Sequence, residues 1–209
     1  TIESWLVWNL TGGAHLTDAS NASRTQLLGL TGAGWDEGLC ELFGVPRAAL
    51  GQIVDTQGAH ASTAPGLFGT AIPITGMAGD QQAATIGQNC LAPGTVKATF
   101  GTGAFVLAST GSAVPRSGNR LLATVLCQQG GARTFALEGS VFVAGSLIKW
   151  LRDSLGLIAN AQESEALARS VPDSGGVVIV TALSGLGAPH WKPQARGQIP
   201  GLSLANSRA

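Results

Sequence analysis

The chain has 209 residues with 12 basic and 12 acidic side chains, so its formal net charge is zero, and the scatter of its basic residues excludes the electrostatic footprint of a nucleic-acid binder. Its hydrophobic share is 44%, but the strongly apolar runs, such as 177–180, fall far short of the ~20 residues a spanning helix needs, so no membrane segment is expected. The charged share of 11% and the 30 glycines describe a turn-rich chain with buried segments rather than a disordered one, and Cys40, Cys90 and Cys127, odd in number and widely spaced, suit neither a disulfide framework nor a zinc site, which points to a reducing cytoplasm.

Residues 2–10 and 35–43 read as helices joined by glycine-rich connections such as Thr11-Gly12-Gly13. Ile72 and Ile74 then alternate as in a strand, Gly76 and Gly79 break the chain, and Ala83, Ala84 and Ile86 mark a helix starting near Gln81. Composition changes near Gln88. Beyond it, extended runs are expected at 95–100, 104–109, 121–127 and 133–137, with Gly130-Gly131 as the turn between the last two. A helix over 146–155 follows, with Leu147, Leu151 and Leu155 on one stripe and Gly156 as its stop, then a second helix over 163–171. Residues 172–176 turn the chain into 177–182, a short apolar run of the kind found in strands buried on both faces. Periodicity alone specifies mixed α/β without an internal repeat.

Three positions carry the chemistry. Asp80 falls at a strand-to-helix switch. Its plain reading is an N-cap, worth ~1 kcal/mol; its functional reading is a general base, because a carboxylate fixed by backbone donors keeps its charge and its direction. Thr102 lies in Gly101-Thr102-Gly103 between two extended runs. That loop reads either as an ordinary hairpin tip or as an anion cradle, in which glycines let backbone N–H groups approach and one hydroxyl joins them. Gly145 precedes the helix over 146–155, where it serves close packing of helix against strand or brings helix-start donors to an anion. An acid that takes a hydroxyl proton and a loop that holds phosphates are the parts phosphoryl transfer needs.

Longer segments connect these positions. Gly79-Asp80-Gln81-Gln82-Ala83-Ala84-Thr85-Ile86-Gly87-Gln88 followed by Phe100-Gly101-Thr102-Gly103, then Leu137-Glu138-Gly139-Ser140-Val141-Phe142-Val143-Ala144-Gly145 leading into Trp150-Leu151-Arg152-Asp153, then Ser184-Gly185-Leu186-Gly187-Ala188-Pro189-His190-Trp191 with Ala195-Arg196-Gly197, closely resembles the FGGY carbohydrate kinase family, in particular its glycerol-kinase branch. The opening segments Thr1-Ile2-Glu3-Ser4-Trp5-Leu6 and Thr17-Asp18-Ala19-Ser20-Asn21-Ala22-Ser23-Arg24-Thr25 agree in collinear order.

The resemblance implies a ribonuclease H-like fold, shared with actin, hexokinase and the heat-shock ATPases, with 1–87 as the C-terminal part of the first domain on the polyol side and 88–209 as the N-terminal part of the second on the nucleotide side. It implies that Asp80 is the general base toward a primary hydroxyl of glycerol, that Gln81 contacts the same polyol, and that Thr102, Gly145 and Lys149 serve ATP. Closure of a cleft would then bring polyol and ATP in line, with Mg2+ on the phosphates but no ligand for it identified in this chain. Glycerol or a related polyol and ATP/ADP are the expected partners, with no nucleic acid and no membrane, and homo-oligomerisation of the full-length enzyme is left open.

Departures qualify that picture. Lys149 stands where the family carries a glutamine at the nucleotide, and a lysine on an amphipathic helix otherwise belongs to a solvated face. Ala71 stands where some bacterial members carry an arginine for a sugar-bisphosphate effector, which removes the basis for that inhibition. His190 and Lys192 replace an aromatic and an acidic residue, and a lone histidine there reads as structural. Family members are far longer and begin with an acidic, glycine- and threonine-rich phosphate loop absent here, so the sequence is read as an internal fragment, inactive alone and exposing apolar surface where other parts pack. A kinase for xylulose or another polyol, a non-catalytic nucleotide-binding remnant, and an ATPase that moves or assembles are the competing readings.

Overall fold

The computed structural model describes residues 1–32 and 34–209. The chain forms two compact units, one of Thr1–Lys97, Leu107–Gly118 and Leu122–Glu138, the other of Ala98–Val106, Asn119–Leu121 and Gly139–Ala209.

In the first unit, helix α1 (Ile2–Thr11) matches its expected span and ends where Gly12 takes φ 76°, a left-handed stop that suits glycine. Strand β1 (Leu16–Asp18) runs into the short helix α2 (Ala19–Ala22) and a 3₁₀ turn, Ser23–Thr25. Helix α3 (Glu37–Leu42) is shorter than expected because Asp36 caps it, accepting from the Leu39 N–H. Trp35 stays outside the helix and donates its indole N–H to the Gly51 carbonyl at 2.8 Å. Strand β2 (Gln52–Val54) pairs parallel with β1, and strand β3 (Gln57–Ser62), followed by helix α4 (Pro65–Phe68), pairs antiparallel with β4 (Pro73–Gly76). Helix α5 (Asp80–Gly87) follows.

Asp18 organises this unit. It is fully buried, yet its carboxylate accepts from Ser20 N and Oγ, Asn21 N and Nδ2, and Thr56 Oγ1 at 2.9 to 3.0 Å, which is how a buried charge becomes affordable. The apolar core lies alongside, from Ala19, Ala22, Leu28, Val125 and Phe135.

The four extended runs all form strands: β5 (Val96–Phe100), β6 (Ala104–Gly111), β7 (Leu122–Gln129) and β8 (Ala132–Val141), in the sheet order β5-β6-β8-β7. Strands β7 and β8 pair antiparallel down to Gln129 against Ala132, leaving Gly130 and Gly131 at φ 57° and 77° as a two-residue turn with both φ positive. Asp55 secures that turn by accepting from the Gly130 and Gly131 N–H groups at 2.6 and 3.1 Å.

The second unit adds helices α6 (Gly145–Asp153) and α7 (Glu163–Arg169), both ending two residues before their expected limits. The run 177–182 is not a buried strand, contrary to expectation. Its backbone bonds run from Val177 N–H to the Ser174 carbonyl at 3.0 Å, from Val178 N–H to the Pro200 carbonyl at 3.1 Å and through an isolated Val180–Gln198 bridge, and Val178 is 57% exposed. An apolar run reports what a segment can bury, not whether a neighbouring strand is there to pair with it. Val177 and Ile179 instead line an apolar cavity of about 810 Å³ with Leu151, Leu155, Leu167 and Ile199. Among the described residues, no helix is long and apolar enough to cross a membrane.

Candidate active site

Asp80 and Gln81 belong to the first unit; Thr102, Gly145 and Lys149 belong to the second. Asp80 is the first residue of α5 rather than its N-cap, which corrects the plain reading. The cap position is Gly79, whose N–H donates to Ser20 Oγ at 2.9 Å, while Ser20 in turn donates to Asp18. The buried Asp18 cluster therefore sets where α5 begins.

The Asp80 side chain is exposed, and both its oxygens are held by the next residue. Oδ1 accepts from the Gln81 N–H at 2.8 Å and Oδ2 from Gln81 Nε2 at 3.2 Å. The inner face of α5 is locked by buried Gln82, which donates to Thr124 Oγ1 at 3.2 Å, and by Thr85, which donates to the Gln81 carbonyl at 2.7 Å. A carboxylate on a fixed helix end, reachable from solvent and held in one orientation, has the form of a general base.

Lys97 is the residue sequence reasoning missed. It is only 4% exposed, and its Nζ donates to Gln81 Oε1 at 2.9 Å. Burial pushes the ammonium below its ordinary value, while the carboxylates of Asp80 and Glu138 pull the other way. Glu138 is itself buried and gripped by Arg24 through Nη2 at 3.0 Å and Nη1 at 2.9 Å. The available signal was a lysine inside an alternating run just before Gly101-Thr102-Gly103.

In the second unit, the 101–103 loop is clamped onto the start of α6. Gly101 N–H donates to the Gly103 carbonyl at 2.8 Å, Gly145 N–H to the Gly101 carbonyl at 2.8 Å, and the Thr102 carbonyl accepts from Ala144 N, Ser146 N and Ser146 Oγ at 2.8 to 3.1 Å. The first N–H groups of α6 therefore fasten the loop, which corrects the expectation that they stand ready for an anion. A Cβ on Gly145 would lie 2.6 Å from the Gly101 oxygen, and one on Gly103 would lie 2.5 Å from the Val141 oxygen. These glycines are required because backbone passes against backbone, while the Thr102 side chain is exposed.

Lys149 is exposed one turn beyond Gly145 on α6. Its charge adds to the main effect of Arg152 in holding Asp153 below the usual carboxylate range. His190 is exposed, and its backbone N–H closes a turn onto the Gly187 carbonyl at 2.9 Å. Among the described residues no group of three or more His, Cys, Asp or Glu is placed to hold a metal ion, and all three cysteines are free thiols.

Residues 1–87 match the N-terminal domain, and residues 96–209 the C-terminal domain, of the FGGY family of carbohydrate kinases. The chain is 52% identical to a glycerol kinase of Aromatoleum aromaticum over 210 aligned positions, and 55% identical to one of Alcanivorax borkumensis over 204, covering 100% and 97% of this chain. It spans 42% and 41% of those relatives' lengths. Among solved structures it superposes on Plasmodium falciparum glycerol kinase with ADP at a TM-score of 0.90 and 36% identity, covering 100% of this chain and 42% of that one. A xylulose kinase of Rhodospirillum rubrum superposes at 0.80 with 26% identity, covering 98% of this chain and 42% of that one. With the actin- and hexokinase-like fold of those kinases and family matches along nearly its whole length, the chain belongs to the FGGY family of carbohydrate kinases.

Proposed function

We propose that the complete polypeptide carrying these residues transfers the γ-phosphoryl group of ATP to a primary hydroxyl of glycerol, giving glycerol 3-phosphate. The observation that carries this reading is the Asp80 carboxylate, exposed at the start of α5 with both oxygens held by Gln81. As the acceptor oxygen attacks the γ-phosphorus, Asp80 takes its proton, and Gln81 contacts the same polyol. Thr102 presents its hydroxyl to the phosphates from a loop that cannot flex away from α6. Gly145 serves the nucleotide by letting the 101–103 loop close onto the start of α6, and Lys149, one turn further along α6, supplies positive charge.

Residues 1–87 act as the end of a polyol-side domain and 88–209 as the beginning of a nucleotide-side domain. A magnesium ion would ride on the nucleotide phosphates, since the described residues offer no cage for one. The free thiols support a reducing cytoplasm as the setting. The high identity to glycerol kinases favours glycerol over xylulose as the acceptor.

The test is ADP production by the complete polypeptide with glycerol, with xylulose, and with no acceptor. Glycerol-dependent turnover that exceeds both other arms is the expected result. Equal turnover without any polyol would identify an ATPase, and a preference for xylulose would reassign the acceptor.

A further inference from the structure

Strand β5 buries a lysine where a strand ordinarily buries an apolar residue. Lys97 faces inward, while Val96 and Phe100 on the opposite face are exposed. Burying an ammonium is costly unless it is hydrogen-bonded and balanced by charge. The hydrogen bond runs to Gln81 Oε1 at 2.9 Å, and the balancing charges are Asp80 and Glu138.

The consequence lies in the polarity of the Gln81 amide. An ammonium has three donors and no acceptor, so it tolerates only the carbonyl end of a glutamine. With Oε1 turned to Lys97, Nε2 must turn toward Asp80, and it donates to Oδ2 at 3.2 Å. Reversed, the amide would set donors against the ammonium and a carbonyl oxygen against the carboxylate, which is unfavourable at both ends. Nε2 carries two hydrogens, so the one not directed at Asp80 is left for an oxygen of an alcohol bound there.

We propose that Lys97 is a positioning residue for the alcohol acceptor, fixing the Gln81 amide so that its NH₂ faces Asp80 and the bound hydroxyl compound. This rests on the reading of Asp80 as the base toward a polyol. Lys97 acts through Gln81 and has no need to touch the acceptor itself. Its loss should therefore weaken acceptor binding and leave nucleotide binding alone.

The test uses the complete polypeptide with Lys97→Met, Lys97→Arg, Gln81→Leu and the Lys97→Met/Gln81→Leu double variant, measuring KM for glycerol and for ATP and glycerol affinity by calorimetry. Lys97→Met should raise the glycerol KM roughly tenfold, as expected for loss of one charge-assisted hydrogen bond, with the ATP KM unchanged. The double variant should be no worse than Gln81→Leu alone, and Lys97→Arg should recover most of the affinity. Additive losses, or a Lys97→Met protein with lowered melting temperature but native glycerol KM, would overturn the proposal. Neutron diffraction from the wild-type protein reads the same link without any variant: NH₂ toward Lys97 overturns it, and carbonyl toward Lys97 supports it. Unchanged turnover in Asp80→Asn would overturn the base reading and this inference with it. Collapse of Asp80→Asn beside a native glycerol KM in Lys97→Met would overturn this inference alone.

Discussion

Gly145 donates its N–H to the Gly101 carbonyl at 2.8 Å, and a Cβ at position 145 would stand 2.6 Å from that same oxygen. Both atoms are backbone, so neither can swing aside as a flexible side chain would. Gly145→Ala should push the 101–103 loop off the start of α6. We expect a stability loss of about 1–3 kcal/mol from the overpacking and a rise in the ATP KM larger than any change in the glycerol KM. Thr102→Val, on an exposed side chain, should raise the ATP KM with no loss of stability. Steady-state kinetics with each substrate varied, beside thermal melts, separate the two effects; equal changes in both KM values would contradict the assignment of this loop to the nucleotide.

Glu3 carries a pH dependence of stability. Its carboxylate accepts from Thr17 Oγ1 at 2.7 Å and from the Asp18 N–H at 3.2 Å, but burial pushes it up to about 7, with the Thr17 bond opposing and the Asp18 charge adding to the rise. Between the ordinary carboxyl value of 4.5 and about 7, the folded chain holds a proton that the unfolded chain releases. Its contribution to stability is therefore fully present below that window and is lost as pH rises through it. Glu3→Gln should flatten this fall, and the difference between wild type and variant in denaturant midpoint against pH isolates the effect from other titrating groups. Parallel curves would show that Glu3 does not titrate there.

Arg24 and Glu138 form an ion pair in the first unit with one buried end, Glu138 being 1% exposed and Arg24 37% exposed on its side chain. Removing Arg24 takes the guanidinium from buried Glu138 and leaves Lys97 as a charge that balances it. Arg24→Met should cost ~3 kcal/mol, the low end for a broken buried pair because Arg24 reaches solvent. Replacing both, Arg24→Met with Glu138→Gln, also removes a charge that balances Lys97, so it should recover only part of that loss. Urea denaturation of the three proteins checks it, and a double variant no more stable than Arg24→Met would refute the account.

Much of the second half of the fold was legible because its strands are long and their turns are chemically marked. Strands β5 to β8 were legible as extended runs separated by turn residues, and Gly130-Gly131 marked a turn whose positive φ values suit glycine. Strands β1 and β2, three residues each, are too short for a period to show, and β3, Gln-Gly-Ala-His-Ala-Ser, lacks the β-branched and aromatic residues that mark a strand. The run 177–182 misled for the opposite reason, being apolar without a strand beside it. Asp80, Gln81 and Thr102 could be singled out in the sequence because motifs carry them. Lys97 could not, because its importance lies in what faces it across the fold, and its burial inverts the usual phase of a strand.

The central claim is that Asp80 takes the proton from the acceptor hydroxyl. Single-turnover phosphoryl transfer by Asp80→Asn, in the complete polypeptide with saturating ATP and glycerol and with glycerol affinity checked by calorimetry, tests it most directly. A rate lowered ~10²- to 10⁴-fold with glycerol still bound is the predicted result. A rate equal to wild type would contradict it and leave Asp80 as an ornament of the α5 start.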